Sequence, residues 1–114
     1  MISTSLTKKQ KAELRRLAGV AHERELASAI TDLEGQFARW RKGEINVFEL
    51  KESIHKFHHG ISRELYNHYE PRHADITVPA AIARGALREE EVDPVLLEHM
   101  AELIEFARKR QRET

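Results

Sequence analysis

Residues 46–69 read NVFELKESIHKFHHGISRELYNHY and form the longest regular helical pattern in the chain. Their apolar side chains recur at alternating spacings of three and four residues, which places them on one stripe of an α-helix. The stripe consists of Val47, Leu50, Ile54, Phe57, Ile61, Leu65 and Tyr69. The spacing therefore predicts a helix with one well-defined apolar face.

The residues that flank this stripe predict where the helix begins and ends. The side chain of Asn46 can accept the backbone N–H of Glu49, and Glu49 can accept the N–H of Asn46, which is a variant of the capping box. Pro71 at the other end disfavours helical torsion angles at Glu70. We predict one helix over residues 46–69, with Gly60 inside it at a cost of about 1 kcal/mol relative to alanine.

A second stripe precedes the first and predicts its packing partner. Its apolar residues are Leu26, Ile30, Leu33, Phe37 and Trp40. Gly43 follows the last of them and is placed for a left-handed helix cap. The connection from Gly43 to the Asn46 cap is short, and a short connection makes consecutive helices antiparallel neighbours. We predict an antiparallel hairpin of residues 21–42 and 46–69, with the two stripes facing each other.

The apolar pattern changes phase upstream of this second helix. Leu14 and Leu17 lie on one face of an earlier helix, whereas the repeat that begins at Leu26 does not extend back to them. The shift falls near Gly19, a residue that weakens helices. One long helix with a skip in its apolar repeat would also explain the pattern, but we favour a break between two helices.

The remaining sequence completes an all-α prediction, since no alternating strand pattern is present. Thr77 and Pro79 predict the start of a short helix, and Asp93 with Pro94 predicts the start of the last one. We expect a compact bundle of four to five helices, forming a single helical domain over residues 1–114. The predicted helices are 7–18, 21–42, 46–69, 78–85 and 94–109.

Composition limits the classes of partner. Nineteen basic residues balance nineteen acidic ones, so no overall field attracts nucleic acid or an anionic membrane. Cysteine is absent, which removes disulfides and thiolate chemistry. The start of the chain lacks the apolar run of a signal peptide, and no stretch is long enough for a membrane span. We expect a cytoplasmic protein.

The basic start of the chain gives one resemblance to a known family. Residues 6–18, LTKKQKAELRRLA, resemble the opening of small CRM-type RNA-binding domains. The resemblance covers about a dozen residues of a common amphipathic pattern, and that family continues with strands and a GxxG loop that this chain lacks. Nucleic acid is therefore not an expected partner.

The histidines provide the first candidate site, because four of the seven lie in residues 46–69. His55 and His59 are one helical turn apart, and two such imidazoles can chelate a divalent metal. Glu52 precedes His55 by three residues and gives the Glu-x-x-His unit of carboxylate-bridged di-iron bundles. All three are predicted to point away from the apolar stripe, so a zinc, iron or nickel site would need a subunit interface.

The exit of the central helix provides the second candidate site. Aromatic, basic and imidazole side chains gather at a helix end and in the loop beyond it, a common location for binding sites. Together such groups can hold a small anionic molecule. The candidate ligand-binding residues are Tyr66, His68, Tyr69, Arg72 and His73.

No catalytic or phosphate-binding motif is present, and no nucleophile, base and orienting group can be assigned from spacing. The phase shift and the aromatic pair Phe37 and Trp40 instead predict apolar surface that one hairpin does not bury. We expect a non-enzymatic protein-interaction or homo-oligomerisation module, without a cofactor, whose partner is itself or another protein. The alternative is a metal-binding protein that uses Glu52, His55 and His59.

Overall fold

A computed structural model describes residues 6–113 of the chain, and within them the protein is all-α, as predicted, with no strand. The α-helices are α1 (Lys8–Arg41), α2 (Val47–His59), α3 (Ile61–His68), α4 (Ala74–Arg84) and α5 (Pro94–Glu113). Two short 3₁₀ helices, Pro71–His73 and Glu89–Glu91, lie in the connections. The helices fall into two compact units. The described part of unit 1 is residues 6–21 and 69–113, and unit 2 is residues 22–68.

Side chains cap the N-terminal ends of α1, α2 and α5, whereas the start predicted at Thr77 is wrong because α4 begins at Ala74. Thr7 and Gln10 exchange backbone-to-side-chain hydrogen bonds of 2.9 and 3.1 Å at the start of α1. Asn46 and Glu49 do the same at the start of α2, at 3.0 and 2.8 Å. Asp93 accepts the N–H of Val95 at the start of α5. These side chains satisfy N–H groups that have no partner inside the helix.

Gly43 ends α1 in the left-handed conformation that the sequence predicts, with φ of 78°. The N–H of Glu44 donates to the carbonyl of Arg39, and that of Gly43 donates to the carbonyl of Trp40. This pair of hydrogen bonds is a Schellman motif, which reverses the chain with few residues. The short connection that results is the one a hairpin of α1 and α2 requires. The antiparallel packing of the two helices stays a prediction.

The predicted break near Gly19 is wrong, because α1 is one continuous helix of 34 residues. A single glycine costs a helix only about 1 kcal/mol, and no proline interrupts the segment. The phase shift has another origin. Leu14, Leu17 and Ala21 are buried in unit 1, whereas the later stripe belongs to unit 2. Two parts of one helix thus present different faces for burial.

The single helix predicted over residues 46–69 is also wrong, because Gly60 divides it into α2 and α3. Gly60 has φ of −101° and ψ of −103°, which departs from helical values. A Cβ atom built on this residue would lie 2.5 Å from the carbonyl oxygen of Lys56. The backbone therefore requires glycine at this position. Further along the chain, Pro71 ends the helical run, and the preceding Glu70 has ψ of 132°.

The last two helices are longer than predicted. The helix expected over residues 78–85 begins at Ala74, so Pro79 lies in its interior, and α5 continues to Glu113 rather than ending at 109. Burial explains the first difference. Side chains of α4 such as Val78 and Ala81 have no exposed area, and α4 packs extensively on α5. This burial offsets the hydrogen bond that Pro79 cannot donate.

Replacing Gly60 and Gly35, both in unit 2, with alanine should have opposite effects. Gly60→Ala should lower the free energy of unfolding by more than about 1 kcal/mol, because its methyl group meets a backbone carbonyl. Gly35→Ala is the matched control, since nothing lies within 4 Å of its added Cβ. It should raise stability by about 0.5–1 kcal/mol. Urea unfolding followed by circular dichroism measures both changes, and equal stabilisation would contradict the close approach of Lys56 to Gly60.

Candidate interaction surface

Unit 2 leaves much of its predicted core in contact with solvent. Of its eleven stripe residues, among which Phe37 and Trp40 were expected to stay uncovered, only Leu50 and Leu65 are buried. Five others are exposed over 40–53% of their surface, namely Ile30, Trp40, Val47, Ile54 and Ile61. We call these five the exposed apolar stripe. A face spaced for a helical core thus stays open along α1, α2 and α3.

A groove runs between α1 and the α2–α3 segment within unit 2. Leu33 of α1 and Phe57 of α2 both line it, and both are half-buried. The groove has a volume of about 530 Å³. Asp32 and Lys56 also line it and form no ion pair with each other in the described part of the chain. The groove therefore combines an apolar floor with opposite charges that are available to a partner.

The histidine candidates lie on a different, solvent-exposed part of α2. Glu52, His55 and His59 are all exposed, as the apolar stripe predicts. The rings of His55 and His59 lie 4.4 Å apart between centroids, and that of His58 is 5.0 Å from His59. Within residues 6–113, no group of three or more histidine and carboxylate side chains is arranged to hold a metal ion.

The neighbours of His59 disfavour its protonated form. Desolvation by these neighbours is the largest cause that lowers the pKa of His59 below its ordinary value, and electrostatic repulsion from His55, His58 and Arg63 lowers it further. A neutral imidazole is the form that binds a metal ion. The lowered pKa thus extends the neutral form of His59 to lower pH than for an ordinary histidine.

The candidate residues at the helix exit have different surroundings. Tyr66 is 74% exposed on α3, and His68 is also exposed. Tyr69 is buried instead, and its hydroxyl accepts a hydrogen bond of 2.9 Å from the Nη2 atom of Arg84. Its phenol therefore contributes a hydrogen bond within unit 1 and does not face solvent.

The two candidates beyond Tyr69 lie next to the start of α4. Arg72 pairs with Glu70 at 2.7 Å, and His73 is exposed. The ligand-binding role of these residues stays a prediction. Sequence reasoning placed Ile30, Val47, Ile54 and Ile61 between the two helices, and the signal for uncovered apolar surface was the phase shift together with Phe37 and Trp40.

Comparisons with protein-family models, with curated proteins and with solved structures found no match to this chain. Within the described residues, no helix is both long enough and apolar enough to cross a membrane.

The lowered pKa of His59 predicts a loss of stability in acid. Unfolded His59 takes up a proton at higher pH than folded His59, so the free energy of unfolding falls as pH decreases through the ordinary histidine value of about 6.5. Replacing His55 with glutamine removes one of the opposing charges and should raise the pKa of His59. Titration of the imidazole resonances by NMR measures the pKa of His59 in the wild type and in His55→Gln. An unchanged pKa in His55→Gln would show that His55 has no influence.

Proposed function

We propose that this protein is a non-enzymatic homo-oligomerisation module whose interface is the exposed apolar stripe of unit 2. The observation that carries the proposal is the exposure of side chains whose spacing is that of a helical core. Ile30, Ile54 and Ile61 keep 40–49% of their surface in contact with solvent. Apolar surface of this kind is stabilised when a partner removes it from water.

The area of the stripe is appropriate for the centre of a protein interface. Fully exposed large side chains present on the order of 150–250 Å² each, so the exposed parts of the five residues come to roughly 400 Å². A standard interface buries about 800 Å² on each partner, with an apolar centre and a polar rim. Phe48 and Tyr66, exposed over 77% and 74% of their surfaces, add apolar area in the same unit.

The charges of unit 2 favour a second copy of the same chain as the partner. Residues 23–34 of α1 carry four carboxylates and one arginine, whereas residues 51–63 carry two lysines, one arginine and one glutamate. A two-fold axis brings residues of α1 against α2 of the partner, and the reverse contact forms as well. The acidic segment 23–34 then meets the basic segment 51–63 twice, around apolar centres that together make a four-helix arrangement.

Placing carboxylates in the exposed apolar stripe should prevent self-association without unfolding the chain. The double variant Ile30→Asp, Ile54→Asp changes two exposed side chains, and each buried, unpaired charge should weaken association more than tenfold, since its burial costs more than about 1.4 kcal/mol. Sedimentation velocity over a range of concentrations measures the effect. Ile76→Asp is the matched control, because Ile76 is 64% exposed in unit 1 and should leave association unchanged.

Two results would overturn the homo-oligomer. One is a wild-type protein that sediments as a monomer at every concentration. The other is equal association of wild type and the Ile30→Asp, Ile54→Asp variant, with circular dichroism showing that both are folded.

A second candidate function is metal binding across the same kind of oligomer, and the His55–His59 geometry favours it. Two rings with centroids 4.4 Å apart, one helical turn from Glu52, can supply two imidazole ligands and a carboxylate from each copy. Zinc or nickel suits imidazole ligands, and a tetrahedral site takes four. Since one chain offers only this pair, the site would be complete only between copies.

Zinc should raise the melting temperature if this second function holds, because a ligand of the native state at a hundred times its Kd stabilises by about 2.7 kcal/mol. The variant His55→Gln, His59→Gln should lose the rise. The control His73→Gln, His99→Gln removes the same number of imidazoles and should keep it. Differential scanning calorimetry with and without zinc measures the shift. Loss of the shift in Ile30→Asp, Ile54→Asp would show that the metal site needs association of the chains, and no shift in wild type would exclude the function.

A further inference from the structure

The start of α1 carries basic residues in a place where they destabilise a helix. Lys8, Lys9 and Lys11 lie in its first turn, which contains no acidic residue. The N-terminal end of a helix has partial positive charge, so cations there are unfavourable. Lys11 and Arg15 are four residues apart, and like charges at that spacing repel each other. The arrangement therefore costs stability and needs a separate explanation.

A pocket within unit 1 places two of these cations, Lys11 and Arg15, beside apolar side chains. Its volume is about 450 Å³. Leu14 of α1 and Ala74 of α4 line it and are only 3% and 4% exposed, and Leu6, 8% exposed, lies beside them. Lys11 and Arg15 line the same pocket from α1. The pocket thus presents buried apolar atoms with cations above them, a composition typical of ligand sites.

The positive charge of this pocket is only partly neutralised. Within residues 6–113, neither Lys11 nor Arg15 forms an ion pair. Arg72, a third lining cation, pairs through its Nε atom with Glu70, and a guanidinium has four further N–H donors. Asp75 is the only carboxylate among the lining residues. The balance leaves an excess of positive charge at the mouth of an apolar pocket.

We propose that this pocket binds a small amphipathic anion, with its carboxylate or phosphate held by Lys11, Arg15 and Arg72 and its apolar part on Leu14 and Ala74. Arginine binds carboxylate and phosphate groups through paired hydrogen bonds, and lysine adds a point charge. The ligand also relieves the repulsion between Lys11 and Arg15. Ligand binding and stability of α1 are therefore coupled through the same two side chains.

Three probes separate the two halves of the ligand. Octanoate has a negative charge and an apolar chain, octanol has the chain alone, and inorganic phosphate has the charge alone. Isothermal titration calorimetry should show octanoate binding at least tenfold more tightly than either of the others. Octyl phosphate then distinguishes a phosphate from a carboxylate preference. Octanol binding as tightly as octanoate would overturn the proposal, as would the absence of octanoate binding.

Variants of α1 connect the binding to the named cations. Lys11→Gln, Arg15→Gln keeps chain length and helix propensity while it removes both charges, and it should weaken octanoate binding at least tenfold. The same variant should raise the melting temperature of the ligand-free protein, since the repulsion is gone. Lys8→Gln, Lys9→Gln removes two charges from the same turn outside this pocket and is the matched control. Equal loss of binding in both variants would overturn the proposed site.

This site is independent of self-association, because its residues belong to unit 1. The Ile30→Asp, Ile54→Asp variant should bind octanoate with the affinity of wild type. Octanoate binding that disappears with association would assign the ligand to the oligomer instead and overturn the pocket as its site.

Discussion

Burial of apolar side chains is the constraint on which both units depend, and the two units satisfy it to different degrees. Unit 1 contains α4, a short helix most of whose side chains are buried, and α5, whose Met100 has no exposed area. Unit 2 has no comparable helix, and its stripe residues keep large fractions of their surface in solvent. Since burial of apolar area is the dominant favourable contribution to folding, unit 2 has the greater need of a partner.

The continuous helix α1 explains why the chain has this unequal distribution. At 34 residues and about 1.5 Å per residue it is roughly 50 Å long, more than one small core can cover. Leu14 and Leu17 are covered in unit 1, while Ile30 and Trp40 further along are not fully covered in unit 2. The phase change in its apolar residues is thus the sequence counterpart of burial in two separate units.

The proposed functions use what each unit leaves unsatisfied. In unit 2 this is apolar surface between the acidic segment 23–34 and the basic segment 51–63, and in the proposed oligomer a second copy would supply both the apolar contact and the opposite charge. In unit 1 it is positive charge at the start of α1, and a small anion supplies the compensation. Both proposals follow from residues that destabilise the isolated chain, a feature that natural proteins retain at functional sites.

The amino-acid sequence by itself determined the helical class and most helix ends. Thr7, Asn46, Gly43 and Asp93 act through hydrogen bonds or torsion angles within a few residues, so their effects can be read locally. The outward position of His55 and His59 was also local, because it follows from 3.6 residues per turn. Only tertiary structure decided the rest. The inclusion of Pro79 within α4 and the exposure of Ile54 depend on which surfaces are covered by distant segments, and periodicity carries no information on that coverage.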